Sequence, residues 1–213
     1  MPLPASPAMQ INRRLACAAA TAAFLSVLVA PAWTFNVPVN NPTFDTPQPL
    51  EPGECVAMQF DQHCRYRLSD PVPGWRVIPR AGAFLPEDDS YDLPWPDGTV
   101  GFAHGGMEGS GYLEQSFGPM VGNGNYTIQV QVGCRRNKLC GGSNIYVHFD
   151  GELAHRYVLK QGDQVPGTWI PVKFSFKGAK GKVLTVQLAT ACICTRREVG
   201  FDNFRLTYQK KSR

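Results

Sequence analysis

Tyr126-Thr127-Ile128-Gln129-Val130-Gln131-Val132 alternates apolar and polar side chains without a break. Tyr126, Ile128, Val130 and Val132 face one way, and Thr127, Gln129 and Gln131 face the other. Period two with one polar face predicts a strand in an antiparallel sheet with one side in a core. The same signature recurs outward along the chain. Ile145 to Phe149 repeats it, and Asp150-Gly151 reads as a tight hairpin turn into Leu153–Leu159. Ile170 to Phe176, Val183 to Leu188 and the series Phe204, Leu206, Tyr208 follow, with Thr99–Ala103 and Tyr112–Phe117 as shorter candidates. Beyond the first thirty-odd residues no apolar stripe at helical spacing spans ten residues. Short repeated alternation punctuated by proline and glycine predicts an all-β sandwich.

Upstream, Thr46 to Pro96 carries many prolines, two cysteines and the acidic group Glu87, Asp88, Asp89. It reads as long loops with a few short strands, and such segments are often functional. The chain start reads differently again. Arg13 and Arg14 precede an uncharged apolar run, Leu15 to Ala30, and Ala30-Pro31-Ala32 supplies small residues at cleavage spacing. That is the layout of a secretory signal peptide. The run is shorter than the roughly 20 residues a membrane span needs. The expectation is a cleaved signal at 1–32 and one domain at 33–213, secreted to the extracellular space, or to the periplasm in a bacterium. No membrane association is expected after cleavage.

Losing Arg13 and Arg14 lowers the formal charge from +4 to +2. Arg135, Arg136 and Lys138, with the tail Lys210, Lys211 and Arg213, make no concentrated basic stripe, so nucleic acid is not an expected partner. Cys17 leaves with the signal. Cys55, Cys64, Cys134, Cys140, Cys192 and Cys194 remain, an even number behind an export signal, which implies disulfides. Their C-x8-C, C-x5-C and C-x-C spacings are not those of a zinc site. Local closure favours Cys55–Cys64 and Cys134–Cys140. A bond between Cys192 and Cys194 would be strained, so cross-pairing with Cys134 and Cys140 stays open. Asn125-Tyr126-Thr127 is an N-glycosylation sequon if the source is eukaryotic.

Several short motifs follow one another in a familiar order: Asn41-Pro42-Thr43-Phe44-Asp45, Pro73-Gly74-Trp75, Pro96-Asp97-Gly98-Thr99, Leu113-Glu114-Gln115-Ser116-Phe117, Asn125-Tyr126-Thr127-Ile128, Val147-His148-Phe149-Asp150-Gly151 and Asp202-Asn203-Phe204. From about Asn41 to Tyr208 the chain resembles the galactose-binding-domain-like secreted jelly rolls, including DUF642-type and carbohydrate-binding-module families. The resemblance implies a jelly-roll β-sandwich of two antiparallel sheets. It also implies a structural calcium ion held by Asp45 and Asp202, on the adjacent first and last strands, although Asp45 stands where the family usually has glutamate. Two carboxylates suffice when backbone carbonyls complete the shell.

For a ligand, Tyr91 and Trp95 in a proline-rich loop are candidate sugar platforms, since ring faces offer large apolar area. Trp75 reads as core. Arg135 and Arg136, in the arc between Cys134 and Cys140, form a candidate cationic tip able to grip hydroxyls or acidic groups. No catalytic residues are expected. The carboxylates pair only by chance, Gly109-Ser110-Gly111 lacks a nucleophile spacing, and the four histidines show no ligand spacing. The resulting expectation is a non-catalytic module that binds cell-wall or matrix polysaccharide. The alternative is an extracellular structural or adhesion domain with a protein partner.

Overall fold

The computed structural model describes residues 33–46, 49–57, 65–67, 72–87, 89–91, 98–105, 110–136, 139–191 and 197–210. The signal segment, Trp95, Cys64, Cys192 and Cys194 lie outside them. Fourteen strands are described: β1 (Thr34–Val37), β2 (Glu54–Ala57), β3 (Arg65–Arg67), β4 (Arg76–Val77), β5 (Ala81–Phe84), β6 (Val100–His104), β7 (Tyr112–Pro119), β8 (Asn125–Gly133), β9 (Leu139–Cys140), β10 (Ser143–Phe149), β11 (Glu152–Leu159), β12 (Trp169–Lys177), β13 (Val183–Thr190) and β14 (Arg197–Gln209). Among the described residues the only helical piece is a short 3-10 turn, Gln161–Asp163.

The strands form two sheets. The larger runs β12-β8-β14-β6-β5-β2-β3, with β1 and β9 also paired to β14, and the smaller runs β11-β10-β13-β7-β4. Pairing is antiparallel except for β2 with β3 and β14 with β9. The all-β sandwich expected from the alternating runs, of the jelly-roll type that the resemblance implied, is the observed fold.

The inward faces match the period-two reading. Tyr126, Ile128, Val130 and Val132 are buried in the inter-sheet core, with Ile145, Val147, Leu184, Val186 and Leu188 among the residues they share it with. Asp150 and Gly151 both take positive φ (53° and 83°), as a two-residue hairpin turn requires. Trp75 is core: it lies tilted against Phe44 with centroids 4.9 Å apart, and its Nε1 donates to Asn41 O at 2.9 Å. Gly101 has no room for a side chain, since a Cβ there would lie 2.7 Å from Leu113 and 2.8 Å from Phe44.

The last strand departs from simple alternation. Val199 and Phe201 point into the core, and so do Phe204 and Leu206, which are of the opposite parity. A bulge between Asp202 and Arg205 absorbs the extra residue, with Asn203 at φ 51°. Phe204 N donates to Pro42 O at 3.0 Å, tying this bulge to the opening motif. The segment from Thr46 to Pro96, expected as loops with few strands, contributes β2 to β5 to the sandwich.

Candidate functional site

The outer face of the larger sheet, away from the core, carries the groups with chemistry. Register arranges them in rows across the strands. One row is Trp169, Gly133, Gly200, Phe102 and Gly82, on β12, β8, β14, β6 and β5. Three glycines leave a shallow floor that rings fill. A Cβ at Gly133 would meet the Trp169 ring at 2.7 Å, and one at Gly200 would meet Tyr91 Oη at 3.1 Å and Trp169 at 3.3 Å. Tyr91 packs on Trp169 with centroids 4.8 Å apart, and Phe84 meets Phe102 edge-on. With Cys55 and Val100 these rings make a second, smaller apolar cluster.

One row along, Glu198 on β14 faces His104 on β6 as a cross-strand pair. Glu198 is 2% exposed. His104 Nε2 lies 3.1 Å from one carboxylate oxygen. Arg135 donates to both oxygens, through Nε and Nη2, while its guanidinium lies 4.5 Å over the Phe84 ring. Burial alone would push the Glu198 pKa up. The Arg135 guanidinium, and then His104, overcome this and hold it well below the usual carboxylate range. The result is a fixed anion inside an aromatic wall. Burial, then the Glu198 charge, raises the Tyr91 phenol well above its ordinary value.

In the other direction along β14 stands Asp202, paired with Gln131. It is fully buried. Asn203 N donates to its Oδ1 at 2.6 Å, whereas its Oδ2 has no hydrogen-bond partner among the described residues. Burial pushes its pKa up to about 7; the Asn203 N–H opposes this, and the Asp45 charge adds to the rise. Asp45 sits on the opening loop, accepting from Thr43 Oγ1 at 2.8 Å and Thr99 Oγ1 at 3.4 Å. Two carboxylates that repel each other, one with an orphaned buried oxygen and the other beside two threonine hydroxyls, suit a hard cation. Among the described residues no three His, Cys, Asp or Glu side chains converge on a metal position, so most ligands would be neutral oxygens. The Trp169 Nε1–H is likewise buried with no partner among the described residues.

The remaining sequence candidates fare as follows. Tyr91 is not an exposed platform: at 3% exposure its ring packs on Trp169 with its hydroxyl over Gly200. Trp95 lies outside the described residues. Arg135 is not a free cationic tip, because a buried carboxylate and a ring draw it inward. Arg136 keeps an exposed side chain and donates from Nη2 to Tyr91 O at 3.4 Å. Cys134 and Cys140 are bonded to each other, which closes the arc that carries both arginines and removes the cross-pairing alternative. Cys55 is also in a disulfide; Cys64, its expected partner, is outside the described residues. Glu198, His104 and Trp169 were missed by sequence reasoning.

A jelly roll with an ionic triad and an aromatic wall on one sheet face is the class that fold and site define. The comparisons with known proteins make it specific. The model of the HpiC1-like family, described as HpiC1 cyclase, matches residues 35–207. The chain belongs to that family. A search of curated proteins finds no match.

Among solved structures, the Stig cyclase Fisc from Fischerella sp. TAU in complex with (3Z)-3-(1-methyl-2-pyrrolidinylidene)-3H-indole is similar at TM-score 0.65 and 16% identity. The match covers 85% of this chain and 100% of that one. An apo cyclase from Fischerella sp. follows at TM-score 0.64 and 17% identity, over 84% and 98%. A cyclase from Fischerella sp. TAU in complex with 4-(1H-indol-3-yl)butan-2-one gives 0.62 and 17%, over 84% and 100%. At such identities these likenesses bear on the fold.

The family assignment overturns the expectation of a non-catalytic carbohydrate-binding module, and with it polysaccharide as partner. The family is named for a cyclase, and a sandwich scaffold does not by itself fix function.

Proposed function

We propose that this protein is a cyclase that isomerises a small unsaturated substrate bearing an indole-like ring. The observation that carries this reading is the buried Arg135–Glu198–His104 triad set in an aromatic wall, in a chain of the HpiC1-like family. Ring closure of an alkene can start by protonation. The imidazole of His104 is the proton donor and acceptor we assign within the triad, and Glu198, 3.1 Å from its Nε2, orients the ring. The proton adds to a substrate double bond and leaves a cation. Trp169, the partly exposed ring of this wall, offers a π face to that cation, and the Glu198 anion adds to its stabilisation. A second π system attacks, one carbon–carbon bond forms, and a proton returns to the imidazole. Substrate and product have the same composition.

The neighbours' ligands, both indoles, support the ring class. The Trp169 N–H is the group we assign to hydrogen bonding with the ligand. A structural calcium ion at Asp45 and Asp202 belongs to the same proposal. It would neutralise their repulsion and join the opening and closing motifs. Secretion belongs to it too, since the Cys134–Cys140 bond suits an oxidising compartment.

The test uses a 3-alkenylindole with a second, pendant alkene, followed by liquid chromatography and mass spectrometry. The expected result is a product of unchanged mass and new retention, formed by the parent and not by His104→Asn, with 4-(1H-indol-3-yl)butan-2-one still binding the variant. No isomer from a folded parent that also fails to bind the ketone would overturn the reading.

A further inference from the structure

Beyond the Asp202 row, the same sheet face opens into a groove of about 420 Å³ across β12, β8 and β14. That volume lies in the range of small-molecule sites. Its middle row is Lys173, Gln129 and Arg205, each on a neighbouring strand. Gln131, Asn203 and Pro171 complete the near side, and no carboxylate lines it. Lys173 and Arg205 flank Gln129 on either hand. Neither cation has an ion-pair partner among the described residues, and the Gln129 and Gln131 side-chain amides have no hydrogen-bond partner there.

A strand-fixed row of guanidinium, amide and ammonium sets three donor groups along one groove. Lys173 on β12 and Arg205 on β14 stand on either side of Gln129 on β8, so an anion over the middle strand would meet both cations. The groove lies on the same sheet face as the candidate active site, further along the same three strands. Lys173 is four residues along β12 from Trp169, or roughly 13 Å of strand, so the ligand itself must span much of that distance. A ligand seated against the Trp169 ring and extended along β12 would direct its far end to this row.

We infer that the Lys173–Gln129–Arg205 row binds an anionic group, a carboxylate or a phosphate, at the end of the substrate remote from its ring. This rests on the indole-ring reading above and narrows it: the substrate of this chain is charged, unlike the neutral ketone held by one structural neighbour. Guanidinium and ammonium both favour oxyanions, and the flanking amides supply neutral donors to the same oxygens.

Isothermal titration would compare 4-(1H-indol-3-yl)butan-2-one with indole-3-propionate, which replaces the terminal methyl by a charged oxygen, and with indole-3-butyrate. The expected result is at least about fivefold tighter binding of one or both acids at low salt. That advantage should shrink as salt rises and vanish in the Lys173→Gln, Arg205→Gln double variant, while the ketone's affinity holds. Both positions are exposed on strands, so the fold should tolerate the change.

A second arm follows the Gln129 and Gln131 side-chain amides by NMR during titration with inorganic phosphate. If no indole binds but phosphate moves these amides in the parent and not in the variant, the anion row stands and the indole reading falls. If the ketone binds as tightly as both acids, or the acids' advantage survives in the variant, the anion row is refuted and the indole reading stands. If neither indoles nor phosphate bind, both fall.

Discussion

Replacing Arg135 by methionine should be among the most damaging single changes to this fold outside its core. Glu198 is 2% exposed, and Arg135 meets both its oxygens while His104 lies 3.1 Å from one of them. Methionine keeps much of the stem and its contact with Phe84 but deletes the charge. Removing one partner of a buried ion pair leaves an uncompensated charge and costs about 3–5 kcal/mol. For a domain of this size that is a melting-temperature drop of roughly 6–20 °C.

The pH dependence supplies a second, independent signature. Glu198 has a depressed folded-state pKa, so its contribution is fully present above its unfolded pKa of about 4.3 and is lost as pH falls below that toward the folded value. Parent stability should therefore fall steeply below about pH 4.5. Without Arg135 the folded pKa is no longer held so low, and that part of the acid slope should flatten. Urea unfolding at neutral pH and across the acid range measures both. Replacing Glu198 by methionine as well should recover most of the loss, because the stranded charge is gone. A single variant within about 1 kcal/mol of the parent, or a double variant less stable than the single, would refute the buried-pair argument.

If Asp45 and Asp202 hold calcium, the ion binds the native state, and stability should rise by roughly 2.7 kcal/mol at a hundredfold excess over Kd. Asp202→Asn should abolish that rise, and a melting temperature indifferent to both calcium and chelator would remove the site. Intact-mass analysis of the secreted protein should find its first residue at or near Trp33, with retention of Met1 counting against export by a cleaved signal. Gly101→Ala should destabilise by about 1–3 kcal/mol, since its Cβ would lie 2.7 Å from Leu113 and 2.8 Å from Phe44. A neutral effect in a denaturant melt would mean the inter-sheet space at β6 is looser than described.

The sandwich was legible wherever one phase of alternation persists. Tyr126 to Val132 and Ile145 to Phe149 keep one face dry for their whole length, so their inward residues could be read directly. The closing strand was half legible for a stated reason. Val199 and Phe201 alternate in one phase and Phe204, Leu206 and Tyr208 in the other, and the Asp202–Asn203 bulge joins them. Reading only the later phase hides the earlier one, and with it the face that carries Glu198, Gly200 and Asp202. Two short apolar alternations of opposite parity joined by Asp-Asn are the signal that would have extended the strand.

The site was harder to read because its parts meet through register rather than through spacing. Arg135 and Glu198 stand 63 residues apart, and nothing local to either announces the other. An arginine in a short disulfide-closed arc looks like a solvated tip until a buried carboxylate is known to lie beneath it. Tyr91 misleads in the same way: in a proline-rich loop it looks exposed, yet Gly133 and Gly200 on strands far along the chain leave the hollow into which it packs. Glycine inside an otherwise strong strand was the available clue, since it weakens the strand and marks close approach of another group. Once these glycines are read as a floor, the outer face of the larger sheet is no longer a plain solvated surface. It becomes a graded strip, from a fixed anion through rings to paired carboxylates and then free cations, and such a gradient suits a ligand that is apolar at one end and charged at the other.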